Sequence, residues 1–550
     1  MPDLSLDSLP PSAPPAADVV TQKVLIEGTA LSKEILLSQI IVSKSYNKIS
    51  FAKLIFRDGS ASKRDFTLSN DDKFKPGNKI KIQLGYHGKV DTVFEGIIVK
   101  HGIKVMQKGS SLLKIEAKDK SILLTANRKS AYHIKKTDST VIANLAKAGG
   151  ITDTDIDTTS FEHPQLVQMD ATDWDFIVSR AEANSMLVFT DDGKLIVKKP
   201  SADSKPVLTA TYGKDIREFE AEMDARRQYS KVKSHSWDFT KQKLEDSDDG
   251  TATFSENGNL ASGQLGQVLN ADVNLIHSGN LTKPQLKNWS DAYALRSKIS
   301  KAVGRVRIQG NASVKPGTVV KLAGVGSRFN GNVFVTGVLH HYEGGWQTDV
   351  QFGWREEWFY KQEDFMNKPA AGLLPGINGL QIGVVLDTKD TLDGGQYRVK
   401  VQIPTITPGN EGLWARVTSI DAGPGRGAYF RPQPNDEVVL GFLNDDPRDA
   451  IIIGYLHSKD TNKIPFADPD AQEYGFVTKE GIKVVLDDKN KRATILAPVS
   501  GGEKSLTLNT ASNAIEMKDE NNNTIKMDTS GITIQSSKMI TIKGQTVKIN

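Results

Sequence analysis

The sequence predicts a mainly β protein of several domains, and three observations carry that expectation. The chain has 550 residues, which at about 150 per domain makes three or four domains. Residues 22–117 alternate apolar and polar positions, as at Ile80, Ile82 and Leu84, and are punctuated by Gly77, Gly85, Gly88, Gly96 and Gly102. That rhythm is the signature of antiparallel strands in a barrel or sandwich. From about Glu473 onward, apolar pairs recur at Ile525 and Met527, Ile532 and Ile534, Ile540 and Ile542, and Val547 and Ile549. Each repeat has room for one strand and one turn, so the tail is expected to be a β-solenoid.

The elements follow in order. The first 20 residues, rich in proline and without a basic residue before Lys23, read as a flexible arm and not as a secretory leader. After the first strand-rich region the period changes. In STVIANLAKAGG, Ser139 is a candidate cap for a short helix carrying Val141, Ile142 and Leu145, closed by Gly149 and Gly150. A second helix is expected with Asp173 as N-cap and Trp174, Ile177, Val178 and Ala181 as its apolar stripe. Two strands joined by Asp191-Asp192-Gly193 then read as a hairpin.

Between Val207 and Phe352 strands return, with a long exposed loop expected around 245–265 and a helix over Trp289–Val303 whose stripe is Ala292, Leu295, Ile299 and Ala302. The Gly- and Pro-rich run Asn367–Gly379 is the best linker in the chain. Five short strands follow within about 80 residues, in IGVVLD, YRVKVQI, GLWARVTSI, EVVLGFL and AIIIGYL, which fits a small Greek-key barrel of the OB type. Within the tail, VVLDDKN from Val484 is echoed by IEMKDEN from Ile515.

Composition excludes several function classes. With 70 basic and 66 acidic residues the net charge is +4, too small to imply a nucleic-acid or anionic-membrane partner. The absence of cysteine removes disulfides, Cys-ligated zinc, iron–sulfur clusters and thiol nucleophiles. The longest apolar run, Ala450–Leu456, is far short of the roughly 20 residues of a spanning helix.

Candidate chemistry is sparse. His340 and His341 are adjacent on an expected strand and so point to opposite faces, which disfavours a shared metal. Gly423–Gly427 lacks the lysine and helix of a phosphate loop, and GVG at 324–326 lacks the third glycine of a dinucleotide fingerprint. The acid pairs Glu356-Glu357, Asp445-Asp446 and Asp487-Asp488 are sequence neighbours, whereas glycosidase carboxylates face each other across about 5–10 Å. Trp414, Arg416, Tyr429, Phe430 and Arg431 could form a ligand face on the OB barrel, but their Pro-rich setting favours packing. No catalytic residue, cofactor or metal site is expected.

The tail has a stronger implication. Each repeat is apolar at only two alternate positions, so one ribbon alone would expose a narrow apolar face and two unpaired edges. Several identical chains winding together would bury that face, and three are the simplest closure of a three-sided prism. Ile525, Met527, Ile532, Ile534, Ile540 and Ile542 are the candidate core of that trimer. A monomeric solenoid packed on the barrel is the alternative.

The segment FRPQPNDEVVLGFLNDDPRDAIIIGYLHS resembles the OB-domain signature of VgrG-type spike proteins of type VI secretion and extracellular contractile injection systems, in Phe430-Arg431-Pro432, Asp436-Glu437-Val438, Phe442, Asp445–Arg448 and Gly454-Tyr455. DWDFIVSRAEANSMLVF and GVGSRFNGNVFVTGVLHHY are similar to segments of the phage tail-hub half of these proteins. The resemblance implies a Pro-rich arm (1–20), a first hub barrel (21–120), an α/β insertion (121–205), a second hub barrel (206–368), a linker (369–379), an OB neck (380–460) and a β-helix or β-prism spike (461–550).

It further implies a non-enzymatic homotrimer capping a hexameric inner-tube protein and joined to baseplate proteins. It would carry a PAAR-repeat tip protein and secreted effectors, with no nucleic acid bound. Gln545, Thr546, Val547 and Ile549 are the expected tip interface. The particle would assemble in the bacterial cytoplasm and then be secreted or delivered into a target cell. Only 16 residues separate His457 from Tyr474, so no lysozyme domain is expected there, and no enzymatic effector is expected beyond Asn550. The last residues, IKGQTVKIN, lack the paired His-x-His of metal-tipped phage spikes. The rival expectation is a phage-derived OB protein that binds a cell-wall glycan or nucleic acid.

Overall fold

The computed structural model describes residues 19–107, 110–354, 361, 368–391, 395–406 and 411–549. Most of the Pro-rich arm, the Glu356-Glu357 pair and Asn550 lie outside the described residues. The protein is mainly β and divides into two units, Met1–Asn367 and Lys368–Asn550.

In the first unit the two expected barrel regions each have a core. One is centred on Ile40, Leu54, Phe56, Phe74, Ile82 and Phe94, the other on Val306, Ile308, Leu322, Val335 and Val350. Their strands belong to one 13-stranded sheet rather than to two separate ones. The join is the antiparallel pairing of Gly331–Tyr342 with Leu37–Ser45, with His340 opposite Val42 and Leu339 opposite Ser43. Alternation of apolar residues sets which face of a strand is buried but does not name its neighbour, so this pairing was not readable from the sequence.

Two helices separate the barrel regions in sequence and share a core of their own, with Val141, Ile142, Ile177 and Val178. Helix α1 (Asp138–Ala148) is capped by Thr137, whose hydroxyl accepts from the Thr140 amide, and not by Ser139, which bonds the Thr159 amide. Helix α2 (Asp173–Ala183) is likewise capped by Thr172, one residue before the expected Asp173. Both caps are threonines in extended conformation, whereas Ser139 and Asp173 already lie inside the first turn. The hairpin at Asp191–Gly193 is confirmed: Leu187–Asp191 pairs with Lys194–Lys198, and Asp192 and Gly193 both take positive φ, as a two-residue turn of this hand requires.

Of the loop expected around 245–265, a strand takes the first residues (Lys243–Asp246) and helix α3 (Ser262–Leu269) begins at its end, and the Glu256 carboxylate in the loop accepts from the Ser262 amide and pairs with Lys301 at 2.9 Å. Helix α4 spans Lys283–Ile299, earlier than the expected Trp289–Val303. It is started by a capping box in which Gln285 accepts from the Thr282 amide, with Pro284 in its first turn. Ala302 opens a strand instead of closing the helix.

The second unit opens with a closed barrel of five strands, Gln381–Asp387, Val399–Gln402, Leu413–Val417, Glu437–Phe442 and Ala450–Tyr455, the five expected. Val385, Val401, Ala415, Leu440 and Ile452 fill it. The expected linker is in part tied to this barrel, because the Ile377 amide donates to the Asp445 carbonyl at 2.9 Å.

The tail is a seven-stranded antiparallel meander, with strands Glu473–Val477, Lys483–Asp487, Arg492–Val499, Gly502–Asn509, Ala514–Lys518, Thr524–Asp528 and Gly531–Gln535 paired in chain order. This differs from the expected β-helix: each strand reverses onto its predecessor instead of advancing by a rung. Short polar turns favour that reversal within one chain. Residues 536–549, where two further strands were expected, form none.

Candidate functional site

The tail sheet is built by turns that cap their own backbone. Asp487 accepts from the Asn490 amide and from Arg492 Nε at 2.8 Å. Asn509 accepts from the amides of Ala511 and Ser512. Asp519 accepts from those of Asn521 and Asn523, and Asp528 from that of Ser530. The last three bond the amide two residues on, as Asx turns do, and all four fold the chain back locally. These donors favour the ionised carboxyl. The Asn490 side chain, chiefly, holds Asp487 below the usual carboxylate range, the Asn523 side chain does so for Asp519, and the Ser530 hydroxyl for Asp528.

The turns set a register that lines up apolar residues across all seven strands. One row runs Phe476, Val484, Ile495, Leu506, Met517, Ile525, Ile534, and the adjacent row runs Tyr474, Leu486, Ala493, Leu508, Ile515, Met527, Ile532. Because side chains alternate across a strand, both rows lie on the same face. Between them on the opposite face lie Gly475, Val485, Thr494, Thr507, Glu516, Lys526 and Thr533. Among the described residues the apolar rows are largely uncovered: Tyr474, Phe476, Leu486, Ile495, Leu508, Ile515, Met517, Ile525, Met527, Ile532 and Ile534 are all exposed, and Phe430 stacks on Phe476 at one end. A groove of about 600 Å³ runs over this face, bordered by Ile495, Leu506, Met517, Ile525, Ile534 and Ile540.

Of the residues expected to form a trimer core, Ile525, Met527, Ile532 and Ile534 are thus brought together on one face. Ile540 and Ile542 are exposed and lie beyond the last strand, as do Gln545, Thr546, Val547 and Ile549 at the expected tip interface. Sequence reasoning missed Ile495, Leu506 and Leu508. The signal was present in the alternation of SLTLN, but its spacing departs from the later repeat.

The other candidates resolve into structural roles. His340 is buried, with Nδ1 3.0 Å from the Thr348 hydroxyl, while His341 points the other way to Gln39 and Glu343. Burial holds His340 down to about 3, with Lys44 and Lys315 adding to the effect. Gly423–Gly427 is a miniature ladder whose Arg426 is bound to Asp421. Asp446 pairs with Arg448, and Asp487 with Arg492. On the OB module Arg431 sits over the Tyr429 ring, and Phe430 stacks on Phe476 of the first tail strand at 5.4 Å. Among the described residues there is no cluster of three metal-ligating side chains.

Two family models match the chain. The Alg8 N-terminal domain matches residues 16–344, well over half of it. The chain belongs to the Alg8 N-terminal domain family. The OB domain of type VI secretion systems and phage-baseplate injectors matches residues 381–457, which is the closed five-stranded barrel. That match bears out the VgrG-like reading of the FRPQPNDEVVLGF segment.

Solved structures show remote likeness. A 43 kDa tail protein of prophage MuSo2 from Shewanella oneidensis is 10% identical, over 61% of this chain and 98% of its own, with a TM-score of 0.46. An Escherichia coli component of the type VI secretion system, described as similar to the phage T4 tail proteins gp27 and gp5, is 13% identical over 79% and 100%, with a TM-score of 0.37. A Francisella PdpA–VgrG complex matches at 10% identity over 94% and 81%, with a TM-score of 0.40. All three TM-scores lie below 0.5, so the assignment stands on the two family matches. No curated protein matches the chain.

Proposed function

We propose that this chain is a phage-tail-like spike: a non-enzymatic homotrimer at the tip of a contractile injection machine, which pierces a target envelope when a sheath contracts. The observation that carries the reading is the two-row apolar face spanning seven strands of the tail, in a chain that also holds an injector-type OB domain. A face of this length, left in water, is a liability for aggregation, and covering it with two further copies of itself removes the liability and stiffens the rod. Force would enter through the Met1–Asn367 unit, seated on a hexameric inner tube within a baseplate, and be concentrated on the tail. The exposed end, with Gln545, Thr546, Val547 and Ile549, would seat a PAAR-repeat tip protein, and effectors would travel with it. The particle would assemble in the bacterial cytoplasm before release.

Native mass of the full chain at micromolar concentration tests the reading. A trimer is expected, and a monomer would overturn it. Retention on a glycan array or on DNA at moderate salt by a monomer would point to an OB-based binding protein instead.

A further inference from the structure

Three asparagine–glycine pairs occur in the chain: Asn257-Gly258, Asn330-Gly331 and Asn378-Gly379. In such a pair the backbone nitrogen of the glycine can attack the carboxamide carbon of the asparagine and close a five-membered imide. Glycine favours the step because, without a Cβ, it leaves that nitrogen unshielded and its peptide plane free to turn. The fold decides whether the step is available. It requires a side chain able to swing, a glycine amide outside any hydrogen bond, and access for water.

The first two pairs fail these conditions by holding each other. The Gly258 amide donates to the Asn330 carbonyl at 2.7 Å, and Asn257 Nδ2 donates to the Phe329 carbonyl at 3.1 Å. Asn330 Oδ1 accepts from the Val325 amide at 3.0 Å, and Gly331 stands in a strand opposite Leu322. All four residues of the two pairs are half-buried. A Cβ on Gly258 would lie 2.0 Å from the Arg328 carbonyl oxygen, which shows how closely the backbone is packed there.

The third pair meets all three conditions. Asn378 and Gly379 are both exposed. They lie between Ile377, whose amide is tied to the Asp445 carbonyl, and the barrel strand that begins at Gln381. Among the described residues neither the Asn378 carboxamide nor the Gly379 amide makes a hydrogen bond, and the Asn378 carbonyl alone accepts one, from Gln381 Nε2 at 3.5 Å. Gly379 takes a φ of +75°, and a Cβ built on it would meet nothing within 4 Å.

We propose that Asn378 is a self-modification site, at which the chain converts its own carboxamide to an acid through a succinimide. The Gly379 nitrogen gives up its proton to solvent base and bonds to Asn378 Cγ. The Cγ–Nδ2 bond breaks, and the side-chain nitrogen takes a proton from water and leaves as ammonia. Water then opens the ring at one of its two carbonyls. Opening at Cγ restores the ordinary main chain as aspartate, and opening at the main-chain carbonyl leaves the chain running through Cγ as isoaspartate. Water is the only co-reactant. Either product puts a carboxylate one residue from the tether to the loop that carries Asp445, Asp446 and Asp449. Isoaspartate also adds one carbon to the main chain between that tether and the barrel.

Peptide mapping by mass spectrometry tests this on the full chain, aged at mildly alkaline pH where loss of the amide proton is favoured. The peptide that carries Asn378 is expected to gain the mass change of amide to acid at least tenfold faster than the peptides that carry Asn257 and Asn330. Part of the product should be labelled by an isoaspartyl methyltransferase. In denaturant the three sites should convert at similar rates. Gly379→Ala should slow conversion at Asn378 at least tenfold, with the circular dichroism unchanged. Equal rates at the three sites in the folded chain would overturn the selection of Asn378 by the fold. Retention of the Asn378 amide while the denatured chain converts would overturn the proposal, as would conversion to aspartate without isoaspartate, the outcome of direct hydrolysis.

Discussion

Replacing Ile532 and Ile534 together by aspartate should dissolve the assembly while leaving the single-chain meander intact. These residues are 70% and 55% exposed on the apolar face. Full burial of an isoleucine is worth about 1.5–3 kcal/mol, so covering what is exposed here is worth ~1–2 kcal/mol at each site. The double substitution forfeits ~2–4 kcal/mol per chain and ~6–12 kcal/mol per trimer, or roughly four to nine orders of magnitude in the association constant. Crowding six carboxylates inside a low-dielectric prism adds to that loss. Thr533→Asp is the control, because Thr533 lies between the two isoleucines but on the opposite face, paired with Lys526. Sedimentation velocity at micromolar concentration should show the double variant dissociated and the control assembled. A double variant that stays as trimeric as the parent would refute a buried role for this face.

Val547→Asp with Ile549→Asp should weaken binding of a tip protein, read by pull-down of that partner, with the native mass unchanged. Lys44, buried in the first unit, lies 2.5 Å from Asp191 and 2.9 Å from Asp192. Lys44→Met should therefore remove one of two lysine partners from a pair of half-buried acids that keep Lys315, costing about 1–3 kcal/mol and lowering the temperature of that unit's calorimetric transition. His340 protonates near its usual 6.5 when unfolded but only at about 3 when folded. Its neutral form thus contributes stability that is complete above pH 6.5 and declines as pH falls from there toward 3, by about 1.4 kcal/mol per pH unit. His340→Gln should flatten denaturant midpoints between pH 6.5 and 5, and an unchanged slope would show that another group sets the acid response.

Periodicity and turn chemistry are local properties, and they were legible in the sequence. The five OB strands, the Asp191–Gly193 hairpin and the opposite faces of His340 and His341 all follow from alternation and from residues that tolerate positive φ. The helix caps were misplaced by one or two residues because Ser139 and Asp173 are acceptable caps by type. The extended backbone of Thr137 and Thr172, set by the strands that precede them, decided the matter. The tail shows the same limit at larger scale. Its apolar pairs announced a face needing cover, yet the eight-residue strands Arg492–Val499 and Gly502–Asn509 broke the spacing and hid the part of that face they carry.

What the sequence alone determined was which side of each strand is apolar and where the chain turns. Only the tertiary structure decided which strands are neighbours: that Leu37–Ser45 meets Gly331–Tyr342, and that the tail reverses strand by strand. The reason is physical. A strand's pattern records the environment of its two faces, whereas its edges present the same backbone donors and acceptors whatever the side chains, so the choice of partner depends on the packing of the whole unit.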